Sequence, residues 1–134
     1  MRLLATREHS RAELRRKLGR NFPGEALEAV LDELAAEGLQ SDDRFVENYL
    51  HSRMERGFGP LRIHAELKER GIDEARIRQA LEAVEEQWQE RLLQVARRKF
   101  GDGPPGDRRE MGRRARFLAG RGFPEPLVRD YLLS

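Results

Sequence analysis

Apolar residues recur along this chain in steps of three and four, the spacing that places side chains on one face of an α-helix. Leu14 and Leu18 share one such face, and Leu27, Val30, Leu31 and Leu34 share the next. Phe45, Val46, Tyr49, Leu50 and Met54 form a third, followed by Ile63 with Leu67, and by Ile77, Ala80, Leu81 and Val84. Trp88, Leu92, Val95, Ala96 and Phe100 continue the period, then Met111, Ala115 and Leu118, and last Leu127, Val128, Tyr131 and Leu132. No segment alternates every second residue, so no strand is expected.

Helix punctuation falls between these faces. Ser10 with Glu13 three positions on is a capping box, Ser41-Asp42-Asp43 and Asp73 are helix starts, and Asp107 with Glu110 is a second capping pair. Pro23, Pro60 and Pro124 stand at first-turn positions, while Gly38, Gly57, Gly71 and Gly122 supply stops. A break is expected near Glu85–Gln87. Gly101-Asp102-Gly103-Pro104-Pro105-Gly106 is a loop, since neither helix nor strand holds that density of Gly and Pro.

The faces repeat. Leu67, Ile72, Ile77 and Leu81 are separated by four, four and three residues, and so are Leu118, Phe123, Val128 and Leu132. Leu18, Phe22, Leu27 and Leu31 follow the same rule with the first gap one residue shorter. Gly71 and Gly122 stand directly before Ile72 and Phe123, and Phe22, Ile72 and Phe123 lie 50 and then 51 residues apart. A three-helix unit of about fifty residues accounts for this. The expected fold is all-α, an elongated array of about three tandem three-helix repeats at 1–40, 41–86 and 87–134. The first is truncated at its N-terminus, where only the stub Leu3 to Arg7 stands in place of a first helix.

Composition agrees with thin helical layers. Of the 134 residues 38% are hydrophobic and 37% charged, with a mean hydropathy of −0.79. That is low for a compact globule but suits an array in which much of each helix faces water. The regular spacing argues against disorder, which gives no reason to place apolar residues periodically.

Several chemistries drop out. Cysteine is absent, which removes disulfides, thiolate metal sites and thiol nucleophiles. His9, His51 and His64 have no ligand spacing, so no metal is expected. The 101–106 loop has two prolines without N–H donors and no following Gly-Lys-Ser/Thr, so it is not a phosphate cradle. The glutamates have bases four residues away and none forms a pair with a raised pKa. The chain therefore reads as a non-enzyme without cofactor. No run of about 18 apolar residues exists to cross a bilayer, and Met1 to Glu8 is too short and charged for a signal peptide. A cytoplasmic, monomeric protein is expected.

Charge brings in the candidate surfaces. The net charge of +2 divides into +5 for residues 1–20, −5 for 21–40, −3 for 41–86 and +5 for 87–134. All but three of the bases are arginine, whose planar fork suits carboxylates and phosphates. In the third repeat Arg109, Arg113 and Arg116 share one helical face, and Arg97, Arg98 and Lys99 close the preceding helix. Few acids lie near them in sequence, so they are taken as a docking surface for acidic protein or phosphate rather than as a solvated face. Arg11, Arg15 and Arg16, with Lys17 and Arg20, form a similar patch in the first repeat. Glu13 is expected to pair with Arg16 or Lys17, and the acidic 25–37 helix to neutralise part of the patch. Arg44 and Arg53 are read as structural ties to Asp42, Asp43 or a helix end, and Tyr49 and Trp88 as packing residues. No aromatic residue interleaves with the basic stripes in the way base stacking requires.

Two stretches carry a family likeness. One is Arg7-Glu8-His9-Ser10-Arg11-Ala12-Glu13-Leu14-Arg15-Arg16-Lys17-Leu18. The other is Leu39-Gln40-Ser41-Asp42-Asp43-Arg44-Phe45, then Arg53, Gly57, Gly59-Pro60, Ile63, Glu66-Leu67 and Lys68-Glu69-Arg70-Gly71-Ile72. Together they resemble the RecX family, bacterial regulators of the RecA recombinase, over essentially the whole chain. The resemblance implies a protein that binds RecA and the groove of its filament on single-stranded DNA. It would there restrain ATP hydrolysis, strand exchange and the cleavage RecA promotes in the SOS response. The residues themselves also leave open a direct DNA binder, built from units similar to helix-turn-helix modules.

Overall fold

The computed structural model describes residues 7–134, and every regular element among them is helical. Apart from Arg7, the expected N-terminal stub lies outside the described residues. In chain order the helices are α1 (Arg11–Leu18), α2 (Gly24–Ala36), α3 (Asp42–Glu55), α4 (Pro60–Glu69), α5 (Glu74–Ala83), α6 (Trp88–Phe100), α7 (Arg108–Gly120) and α8 (Glu125–Leu133). The break before α6 is a single 3₁₀ turn, Glu85–Gln87.

Local signals act as the sequence suggests. At α1 the Ser10 hydroxyl accepts from the Glu13 amide at 3.1 Å, and the Glu13 carboxylate accepts from the Ser10 amide at 3.1 Å, completing the capping box. Ser41, Asp73 and Asp107 cap α3, α5 and α7 in the same sense. Pro23 and Pro124 sit one position earlier than expected, as the N-caps themselves. The Glu110 side chain does not return to its cap, because Arg113 and Arg114 hold it.

Two separate cores result. Helices α3 to α5 pack on one another, α6 to α8 do likewise, and both sets share one continuous core that includes Ile63, Leu67, Ile77, Trp88, Leu92 and Leu118. Helices α1 and α2 bury a smaller core of their own, Leu14, Leu27, Leu31 and Leu34. Phe22 does not match its expected partners: it is 37% exposed, while Ile72 and Phe123 are 4% and 2%. The one-residue-shorter gap after Leu18 is the physical reason. It leaves Asn21, not a glycine, directly before Phe22, and no non-glycine residue among the described ones takes the positive φ that Gly71 and Gly122 hold before Ile72 and Phe123.

The two joints differ in kind. Between the second and third helix sets the backbone itself makes contact: the Gly59 amide donates to the Arg121 carbonyl at 2.7 Å and the Leu61 amide to the Gly122 carbonyl at 2.9 Å. These bonds satisfy amides at the α4 N-terminus that no intrahelical partner serves. A Cβ on Gly59 would lie 2.6 Å from the Gly122 carbonyl carbon, so only a glycine allows this approach. The joint to the first set is made mainly by polar side chains, with Ala12 seated against Gly71. Ser10 Oγ donates to the Arg70 carbonyl at 2.7 Å, the Arg11 amide to Asp42 Oδ1 at 2.9 Å, and Gln40 Nε2 to the same oxygen at 2.9 Å.

Candidate functional site

The basic face of the third set is built on α7. Arg109, Arg113 and Arg116 are exposed, but Arg113 is held bidentately by Glu110 at 3.0 and 2.9 Å. Arg97, at the end of α6, pairs with Asp102 at 2.9 Å. The expectation of few neutralising acids thus fails for these two, because the 101–106 loop and the capping turn bring carboxylates back over the helix. Arg98, Lys99, Arg109, Arg116 and Arg121 have no carboxylate at ion-pair distance among the described residues. They form the unneutralised part of the surface.

The sequence reading missed Arg114. It is buried, at 5% exposure, with Nε donating to Glu110 Oε1 at 3.0 Å and Nη1 to the Gly103 carbonyl and Tyr131 Oη, both at 2.8 Å. One guanidinium therefore fastens the loop and α8 onto α7, with its donors satisfied as a buried cation requires. The signal lay in its position four residues before Leu118, on the core stripe. Arg113 first, then Arg114, holds the Glu110 carboxyl below the usual carboxylate range.

Aromatic residues do interleave with cations, against expectation. The guanidinium carbons of Arg53, Arg62 and Arg121 lie 3.9, 4.4 and 4.7 Å from the Phe58 ring centre. Arg121 and Lys99 approach Phe117 at 5.3 and 5.2 Å, and Phe117 meets Phe100 edge-on at 5.5 Å. These are cation–π distances. Because α3, α4, α6 and α7 each contribute members, no local sequence window could show the cluster.

In the first set α2 neutralises much of the patch, as its acidity suggested. Arg11 pairs with Asp32 at 2.6 Å, and Arg15 binds Glu28 at 2.9 and 3.1 Å. Glu13 does not pair with Arg16 or Lys17, since the capping box and Arg7 occupy it. Arg16 donates to the Glu69 carbonyl at 3.4 Å, and Lys17 contacts His9 Nε2 at 3.2 Å. Arg16, Lys17 and Arg20 remain without a carboxylate partner among the described residues. Burial, then Arg7 and Lys17, holds the His9 imidazole below its usual pKa.

Arg15 and then Arg11 hold the Glu28 carboxyl down at about 2. A depressed folded pKa means that the pair stabilises the fold above the unfolded carboxylate value, and that this contribution is lost as pH falls through the folded one. A carbon-detected NMR titration is expected to give a Glu28 midpoint near 2, returning toward 4.5 in Arg15→Ala. A midpoint unchanged by that substitution would remove the pairing as its cause.

Arg44 and Arg53 are structural ties, Arg44 to a helix end as expected and Arg53 to a carboxylate that was not. Arg44 bonds Glu8 at 2.7 Å and the Gly38 carbonyl at the end of α2 at 3.0 Å. Arg53 binds Glu66 at 2.9 and 2.8 Å, and Tyr49 Oη donates to the same carboxylate at 2.9 Å. Burial pushes the Glu66 carboxyl up, but Arg53, Tyr49 and Arg62 together carry it below its usual range. Among the described residues no three His, Cys, Asp or Glu side chains cluster to hold a metal. No helix among them is long and apolar enough to cross a membrane.

Comparison with known proteins places this geometry in a family. The pattern of the first three-helix domain of RecX matches residues 1–34, that of the second 41–81 and that of the third 85–132. The regulatory protein RecX of Pseudomonas savastanoi pv. phaseolicola is 46% identical over 129 residues, covering 96% of this chain and 83% of its own. The regulatory protein RecX of Halorhodospira halophila is 47% identical over 131 residues, covering 96% and 81%. The crystal structure of RecX from Lactobacillus salivarius superimposes with a TM-score of 0.82 at 20% identity, over 98% of this chain and 88% of that one.

Proposed function

The chain belongs to the RecX family, a regulator by kinship with proteins named for that role, and on that premise we propose that it binds RecA and the RecA filament on single-stranded DNA. Bound there, it restrains ATP hydrolysis, strand exchange and the SOS cleavage that RecA promotes. The observation that carries this reading is the set of cations on the third helix set, Arg98, Lys99, Arg109 and Arg116, that have no carboxylate partner among the described residues. Unpaired arginines on a rigid helix keep their full donor capacity for an acidic or phosphate-bearing partner. Arg97 and Arg113 beside it, and Arg11, Arg15 and Arg16 on the first set, are secondary contacts. The ion pairs of Arg97, Arg113, Arg11 and Arg15 must open or be shared, whereas Arg16 has none among the described residues.

Replacing Arg109, Arg113 and Arg116 together with alanine is expected to weaken filament binding roughly tenfold while helix content stays intact. Titrating the variant against the ATPase of RecA filaments on single-stranded DNA, beside circular dichroism, measures both. Unchanged inhibition would take the third set out of the contact. No effect of the unaltered protein on that ATPase would sink the whole reading. A second reading, direct DNA binding, draws on the arginines layered over Phe58 and Phe117, since stacked guanidinium planes also suit bases. Tight, steeply salt-dependent binding to single- or double-stranded DNA without RecA would favour it.

A further inference from the structure

On the other side of its charge distribution the molecule carries an apolar groove where the second and third helix sets meet. Leu61 at the start of α4, Leu81 near the end of α5, Trp88 at the start of α6 and Leu127 in α8 line it, with a volume of about 560 Å³. Leu61 is 58% exposed, one of few large apolar side chains the fold leaves in water. Along one rim stand Glu82, Glu85 and Glu86. None of these three has a cationic partner among the described residues, whereas Glu28, Glu66, Glu74 and Glu110 are all paired. Glu82 also sits in the last turn of α5, where the helix dipole disfavours a carboxylate and where α5 has no basic residue.

We propose that this groove receives a polypeptide segment bearing one large apolar side chain flanked by lysine or arginine, supplied by the same protein partner that the basic faces engage. The apolar floor fits a side chain of leucine or phenylalanine size, and the carboxylate rim meets the cations on either side of it. Lysine and arginine stems would cover the remaining apolar wall while their charged ends reach the glutamates. The rim's negative charge argues against nucleic acid and against an anionic lipid surface as occupant. The inference rests on the reading that a RecA filament is the partner. It adds a contact of opposite polarity, so that the chain is gripped on two faces rather than one.

The fold offers its own reporter, because Trp88 in the groove is the only tryptophan. Protein labelled with 5-fluorotryptophan gives a single fluorine resonance, which is expected to shift when RecA filaments on single-stranded DNA are added. Leu61→Arg, at an exposed position, is expected to keep its helix content yet lose about tenfold in filament affinity. The triple reversal Glu82→Lys, Glu85→Lys and Glu86→Lys is expected to lose affinity as well. If the unaltered protein inhibits the ATPase but Leu61→Arg binds equally well and the fluorine signal does not move, the groove inference is overturned and the functional reading stands. If the unaltered protein neither binds nor inhibits, both fall together. Sedimentation is the remaining check: a dimer that Leu61→Arg dissociates would make a second copy the occupant and overturn the assignment.

Discussion

Gly122→Ala is expected to lower the unfolding free energy by about 2–4 kcal/mol, combining left-handed strain with overpacking at a backbone contact. Gly122 has φ 101°, a conformation that alanine adopts only under strain. Its new Cβ would also lie 2.5 Å from Arg62 Cβ and 2.7 Å from the Arg62 amide nitrogen, neither of which can swing aside. Relief would require α4 to move away, and that breaks the bonds from Gly59 and Leu61 to the 121–122 carbonyls. Because the second and third sets share one core, the loss should appear as a cooperative shift of the whole transition. Urea unfolding followed by Trp88 fluorescence and by circular dichroism measures it. Gly59→Ala separates the two causes, since Gly59 has φ −95° and would suffer the clash alone. A loss under about 0.5 kcal/mol in both variants, the range of ordinary surface changes, would show that the joint yields easily.

Leu31→Ala is expected to cost about 2–5 kcal/mol, but locally. Leu31 is fully buried in a core with only three other buried leucines, so the cavity removes a large share of what holds α1 and α2 together. The joint to α3 and to the end of α4 is made mainly by polar contacts from Ser10, Arg11 and Gln40, which cannot replace that apolar burial. The first set should then melt ahead of the rest. Circular dichroism would show an early partial loss of helix, while Trp88 fluorescence, which reports the other core, holds to higher denaturant. Coincident transitions by both probes would mean that the two cores unfold as one.

The fold was largely legible. Periodic apolar residues, Ser10 with Glu13, Ser41, Asp73 and Asp107, and the glycines before Ile72 and Phe123 act within a few residues, so a linear reading finds them. The surfaces were legible only as composition. Arg109, Arg113 and Arg116 share a face because a helix dictates it, yet whether each is free depended on Glu110. Arg97 was paired by Asp102, which a loop folds back. Arg114 went unremarked in the sequence, and it is buried because Gly103 and Tyr131 close on it. Phe22 looked equivalent to Ile72, and one missing residue turned it outward. The layering of Arg53, Arg62 and Arg121 on Phe58 had no linear trace at all.

By itself the amino-acid sequence determined the helices, their caps and stops, the repetition and the family, because each depends on interactions within one or two helical turns or on a pattern carried whole along the chain. Tertiary structure alone decided that the second and third sets share a core while the first keeps its own. It also decided which cations stay unneutralised, and where an apolar groove with an acidic rim opens. Those outcomes depend on side chains tens of residues apart meeting at a few ångströms, where hydrogen bonds and ion pairs are won or lost by distance and not by order in the chain.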